Sequence, residues 1–143
     1  MLDATHIHPF LVHFPIALVI IGFIFEIISL IKPKNEVNSK MSYYLLVIAS
    51  ITAVLAQLSG LFLTNHPRGG ELYEVFEQHE QFALISVALI AITTNLGTII
   101  YMKNLVNSKY RYFFSILYLL STISIVYTGF LGGTMVYDYM IGL

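Results

Sequence analysis

The chain contains no cysteine. That excludes disulfides, thiolate zinc sites, iron–sulfur ligation and covalent c-type haem attachment, so any metal or redox chemistry has to run through histidine, carboxylate or methionine. Charge is nearly as scarce: 10% of the residues are charged, against about 25% in a soluble domain. A net charge of −1, with no lysine- or arginine-rich run, excludes a nucleic-acid footprint. No serine stands beside a histidine in the sequence, so a Ser-His hydrolytic nucleophile has no signature here. Internal repeats, low-complexity tracts and a second domain are not apparent, and residues 1–143 read as a single domain.

What is present is apolar length. Hydrophobic residues make up 57% of the chain, and spanning helices are expected over about residues 10–31, 41–64, 80–102 and 111–137, each long enough for about 30 Å of hydrocarbon. The fold class that follows is an all-α integral membrane protein, an antiparallel four-helix transmembrane bundle. Short connections place the first and third spans on one diagonal and the second and fourth on the other. Six of the seven basic residues, Lys32, Lys34, Lys40, Lys103, Lys109 and Arg111, flank the first and third connections. The second connection holds Arg68 among Glu71, Glu74, Glu77 and Glu80. The positive-inside bias sends the lysine-bearing connections to the cytoplasm and both termini outside. The amino terminus lacks the basic region and small-residue cleavage site of a removable signal peptide, so the first span is expected to be retained.

All five histidines then fall at one depth, the outer boundary. His6, His8 and His13 precede or open the first span, His66 closes the second, and His79 stands just before the apolar part of the third. Interfacial wetting explains His6 and His66 well enough. His79 shares a helical face with Leu72, Val75, Phe76, Phe82, Ala83 and Ser86, while Glu71, Glu74, Glu77, Gln78 and Glu80 fill the rest, which points His79 inward. The third helix is expected to begin near Glu71, after a turn at Gly69-Gly70, with early glutamates complementing its dipole. His13 lies between Pro9 and Pro15, where an irregular first turn is expected to aim it into the bundle.

Small residues recur on the other two spans. Ala49, Ala53, Ala56 and Gly60 form a stripe on the second, and Gly129, Gly132 and Gly133 close the fourth. Such residues let membrane helices approach closely. They also lie at the histidine level, where they could clear space for a haem b between the second and fourth spans with His13 and His79 as axial ligands and Arg68 on a propionate. The competing metal reading is a copper or zinc site drawn from His8, His13, His66 and His79. Glu26, Gln57 and Asn95 remain inside the spans. Glu26 is turned about 220° from His13 around the helix, so one straight face cannot hold both. It can pair with Asn95 at similar depth, be protonated, or serve a helix contact or partner interface.

Two stretches carry a resemblance. At His8-Pro9-Phe10-Leu11-Val12-His13-Phe14-Pro15, and again at Gly132-Gly133-Thr134-Met135-Val136-Tyr137, the chain resembles the bacterial membrane family catalogued as domain of unknown function 2231. The resemblance covers most of the chain. It implies a four-helix bundle often encoded with, or fused to, cytochrome- or Rieske-type electron-transfer proteins. In that family the ending commonly continues with a His-Gly or Tyr-Gly-Val-Gly stretch, whereas Asp138 to Leu143 holds no histidine, so no second haem ligand is expected there.

Three function classes follow. One is a small b-type haem protein or electron-transfer subunit in the bacterial cytoplasmic membrane, passing electrons between the quinone pool or a partner complex and an outer-side acceptor. Another is a non-haem copper or zinc site. The last is a cofactor-free accessory subunit, for which the aromatic cluster Tyr110, Tyr112, Phe113, Phe114 and Tyr118 offers a partner or lipid interface. The lipid bilayer is the expected partner in all of them, with a respiratory or cytochrome-type membrane complex or self-association in addition.

Overall fold

The protein is described by a computed structural model over residues 7–33, 36–63 and 69–139. Its helices are α1 (Ile7–Leu11), α2 (His13–Ile31), α3 (Glu36–Leu63), α4 (Glu71–Met102) and α5 (Tyr110–Tyr139). The first two form a single span interrupted at Val12. Pro15 has no N–H to offer the carbonyl of Leu11, and its ring crowds that carbonyl, so the ladder breaks one turn before it. The spans predicted from apolar length are thus four helices long and apolar enough to cross a bilayer.

Two helices run past their apolar segments. In α3 the extra turn starts at Glu36, which complements the positive helix end and meets Lys40 one turn on at 3.2 Å. In α4 it starts at Glu71, as the early glutamates predict. Gly69 (φ 145°) and Gly70 (φ 84°) occupy positive-φ conformations that side-chain-bearing residues rarely adopt, and Gly70 accepts the first turn's bond from Tyr73 N–H at 3.0 Å. At its far end α4 stops in a Schellman turn: Asn104 takes a left-handed φ of 54°, Leu105 N–H reaches Ile100 O at 2.8 Å, and Asn104 N–H reaches Tyr101 O. Leu105 then folds back on the core, which returns the chain directly into α5.

The spans pack most closely as two hairpins, α2 with α3 and α4 with α5, joined by looser α3·α4 and α2·α5 seams. The diagonals are therefore α2 with α4 and α3 with α5, as the short connections require. Val19, Leu46, Ala49, Ala53, Ile90, Phe114, Tyr118 and Ile125 form the central core. The opposite helix faces carry exposed isoleucine, leucine and phenylalanine, the pattern of helices whose outer surface is solvated by lipid. The aromatic cluster of α5 divides between the two environments: Tyr110, Tyr112 and Phe113 are exposed, and Phe114 and Tyr118 are buried.

The start of α4 follows its predicted face. Phe76 is buried, Leu72, Val75 and His79 are half-buried, and Glu71, Glu74 and Glu77 are exposed. Phe76→Asp is accordingly expected to lower stability by about 3 kcal/mol or more, since a large apolar contact is replaced by a buried charge. Glu77→Gln should stay within about 0.5 kcal/mol of the parent. Unfolding of the purified protein in detergent checks the pair, and equal tolerance of both changes would mean that this turn is not packed.

Candidate functional site

The end of the bundle holding the histidines is built twice over. His8, on α1, crosses to α3: its Nδ1 lies 3.1 Å from the Ala56 carbonyl oxygen and 2.9 Å from Ser59 Oγ. The ring rests on Gly60, where a Cβ would stand only 2.9 Å from His8 Cε1. His79, on α4, crosses to α5: its Nδ1 lies 3.0 Å from the Thr128 carbonyl oxygen, and the ring rests on Gly132, where a Cβ would stand 3.3 Å from Cε1. In each hairpin the accepting carbonyl stands one helical turn before the glycine. Nearly the same stretch of chain separates each histidine from its glycine. The sequence shows no repeat, yet the two hairpins repeat this construction in parallel, one on either side of the bundle.

The hydrogen bonds fix the tautomers. A carbonyl oxygen can only accept, so Nδ1 of each imidazole carries the proton, and Nε2 of the neutral ring presents a lone pair. No described residue bonds to either Nε2. A main-chain carbonyl holding Nδ1–H while Nε2 stays basic is the arrangement by which proteins orient metal-binding imidazoles.

The other candidate residues are placed differently. His13 is exposed, and its Nδ1 stays on its own chain, 2.6 Å from the Pro9 carbonyl oxygen. Among the described residues it has no anchor on another helix. Gly129 receives the side chain of Ile16, with a Cβ position 3.0 Å from Ile16 Cδ1, while nothing lies within 4 Å of a Cβ at Gly133. The clearance at Gly60 and Gly132 is thus occupied by the imidazoles themselves. His6, His66 and Arg68 lie outside the described residues.

A second polar centre occupies the lysine-bearing end. Glu26, 1% exposed, meets Arg111 side-on, with Oε1 3.2 Å from Nε and Oε2 3.3 Å from Nη2. Ser115 donates to Oε1 at 2.7 Å and Ser42 to Oε2 at 3.0 Å, while Ser29 bonds both the Arg111 guanidinium and the Glu26 carbonyl. Three spans, α2, α3 and α5, are tied at this point. Of the roles open to Glu26 from its sequence, pairing with Asn95 is not the one it takes, and a helix contact is. α2 and α4 sit on a diagonal, and Asn95 faces outward, donating to Ala91 O on its own helix at 2.8 Å. Arg111, counted among the loop cations, is a buried member of the bundle.

A cavity of about 660 Å³ opens beside it, bounded by Ser39, Lys40, Tyr101 and Arg111 among others. Tyr101 is bonded to Ser39 and stacked on Tyr43 with ring centroids 4.5 Å apart. Between the two polar centres run hydroxyls that apolar-run counting passes over. Ser86 Oγ lies 2.7 Å from Ser124 Oγ and 3.0 Å from Thr128 Oγ1, and Thr93 Oγ1 lies 3.0 Å from Ser121 Oγ. Their signal in the sequence is the three- and four-residue spacing that runs from Arg111 through Ser115 and Tyr118 to Ser121, and on through Ser124 to Thr128, a seam that drifts around α5 along its length.

Searches among curated proteins and among solved structures return no match. A family model described as a predicted membrane protein matches residues 4–143. With four membrane-length helices and that match over almost its whole length, the chain is an integral membrane protein belonging to the DUF2231 family.

Proposed function

We propose that this is a small membrane-bound b-type haem protein acting as an electron-transfer subunit, with His8 and His79 as the two axial imidazoles. One observation carries the reading. Two half-buried histidines from opposite hairpins are each locked by a main-chain carbonyl into the tautomer that leaves Nε2 free. The donor set suits haem better than copper or zinc. Porphyrin supplies the equatorial ligands and asks the protein for axial donors alone, whereas a structural zinc site takes about four protein donors and a catalytic one about three. Among the described residues no group of three or more histidines and carboxylates is gathered at one point.

When bound, haem would supply reversible one-electron transfer. The chain's own part is to hold the imidazoles: Ala56, Ser59 and Thr128 fix their rotation, and Gly60 and Gly132 leave room for them against α3 and α5. The lysine distribution supports a bacterial cytoplasmic-membrane setting in which the histidine end faces outward.

The test is the absorption spectrum of protein purified after expression with ample haem. Two imidazoles give a strong six-coordinate field, so a low-spin b-type spectrum with a sharp reduced band is expected. A colourless, correctly inserted protein sinks the reading, and metal analysis of that sample separates a copper or zinc site from a cofactor-free accessory subunit.

A further inference from the structure

We propose that the cavity at the lysine-bearing end is a binding site for a phosphate group, with the Arg111 guanidinium on its inner wall and Lys40 at its mouth. The connections at this end and the turns beside them hold six of the chain's seven basic residues against two of its eight acidic ones, Glu26 and Glu36. Glu26 is buried and engaged with Arg111, while the Glu36 side chain is 80% exposed and stands in solvent beside Lys40. The two helices that begin at the cavity, α3 and α5, bring their positive ends to it, whereas the last carbonyls of α4 are covered by the N–H groups of Lys103, Asn104 and Leu105. A ligand drawn here by charge is therefore an anion.

Arg111 supplies the buried donors. A guanidinium carries five N–H groups, and tying α2 to α5 uses three of them: Nε and Nη2 bond Glu26, and Nη2 also bonds Ser29. Both N–H groups of Nη1 bond no described residue. The side chain is only 10% exposed, yet among the described residues the Tyr118 hydroxyl is the one fully buried side-chain polar atom without a partner. Nη1 is therefore not sealed in, and the cavity that Arg111 lines is the space that reaches it. Charge-assisted bonds from such a nitrogen to a phosphate oxygen are among the strongest available to a protein.

The rest of the wall suits a phosphate ester rather than a bare ion. The volume of about 660 Å³ falls within the range of about 300–1,000 Å³ that small-molecule sites occupy. Tyr101 is fixed in the wall by its bond to Ser39 and its stack on Tyr43, and Asn104 and Asn107 add amides that can donate to phosphate oxygens or accept from an ester's hydroxyls. Arg111 heads the apolar run of α5, the level at which basic pockets between membrane helices meet lipid headgroups. A phospholipid headgroup and a soluble phosphate ester present the same group to this wall. The site lies at the opposite end of the bundle from the histidines and does not rest on the haem reading.

Titration calorimetry on the intact protein, purified in a maltoside detergent and phosphate-free buffer, tests this with three probes: phosphatidylglycerol dispersed in the same detergent, glycerol 3-phosphate and inorganic phosphate. One-to-one saturation by phosphatidylglycerol is expected. Lys40→Gln, which removes one cation near the surface, should weaken it about fivefold, and Asn107→Asp, which sets a carboxylate on the wall, at least as much. Both residues are exposed, so the unfolding temperature of each variant without ligand should match the parent's, which separates a lost site from a lost fold. Asn95→Ala, on the outer face of α4, should bind like the parent. Binding of glycerol 3-phosphate or inorganic phosphate with the same dependence on Lys40 and Asn107 supports a soluble source, and binding of the lipid alone supports the leaflet. No saturable binding of any of the three, as a water-filled vestibule would give, or binding that either variant leaves unchanged, as lipid coating the apolar faces would give, overturns the proposal.

Discussion

Arg111→Met is expected to lower the stability of the bundle by about 3–5 kcal/mol, the loss that follows when one member of a buried ion pair is removed. Glu26 is 1% exposed and engaged from three helices. Without the guanidinium its carboxylate keeps only serine hydroxyls as partners among the described residues, and its burial leaves its solvation incompletely restored. It must then remain as an uncompensated charge or take up a proton at a cost in free energy. Methionine fills similar volume, so lost packing is a minor part. Adding Glu26→Gln to Arg111→Met should recover much of the loss, because a neutral amide can accept from one of the Ser115 and Ser42 hydroxyls and donate to the other. The measurement is a double-mutant cycle on unfolding in detergent, with an interaction energy of about 2 kcal/mol or more expected. Losses that simply add would mean that Glu26 and Arg111 are held independently and that the cluster is not the knot joining α2, α3 and α5.

That knot and the histidine site differ in how far the sequence discloses them. The four spans follow from apolar length, and the start of α4 follows from Gly69-Gly70, the glutamates after it and the spacing that turns Phe76 and His79 inward. Each of these signals lies within a few residues of the feature it specifies. The choice between His8 and His13 does not. Both stand in one short motif around a proline-induced break, and the deciding partners, the Ala56 carbonyl and the missing side chain of Gly60, belong to the next span. Arg111 is obscured for a related reason. It lies at the head of an apolar run beside lysines, where a count of loop cations absorbs it. Its spacing to Ser115, Tyr118 and Ser121 places it on the buried face of α5, but serine and threonine interrupt hydropathy so weakly that the face reads as lipid-like. Polar residues that satisfy their own helix carbonyls, as Ser121 does with Leu117 and Thr128 with Ser124, can sit in an apolar run at little cost and leave little trace in it.

The same contrast between His8 and His13 gives the sharpest expectation for the proposed haem. His8→Ala and His79→Ala should each abolish the low-spin six-coordinate spectrum, because either change leaves one axial position without its imidazole. His13→Ala should leave the spectrum intact, since that ring is exposed and, among the described residues, bonds to Pro9 one turn away in its own span. The fold should survive all three changes. His8→Ala gives up hydrogen bonding to Ala56 and Ser59, a net loss of about 1 kcal/mol, while insertion depends on the apolar spans. Gly60→Val probes the same ligand from the other side. A Cβ there would stand 2.9 Å from His8 Cε1 and 3.5 Å from Nε2, so the imidazole has to turn away from α3, break its bond to Ala56 and lose the orientation that presents Nε2. Haem retention should fall sharply in Gly60→Val even though every histidine is present. A spectrum that survives His8→Ala but disappears in His13→Ala would replace the His8–His79 pair with His13–His79 and leave the Ala56 and Gly60 contacts as helix packing alone.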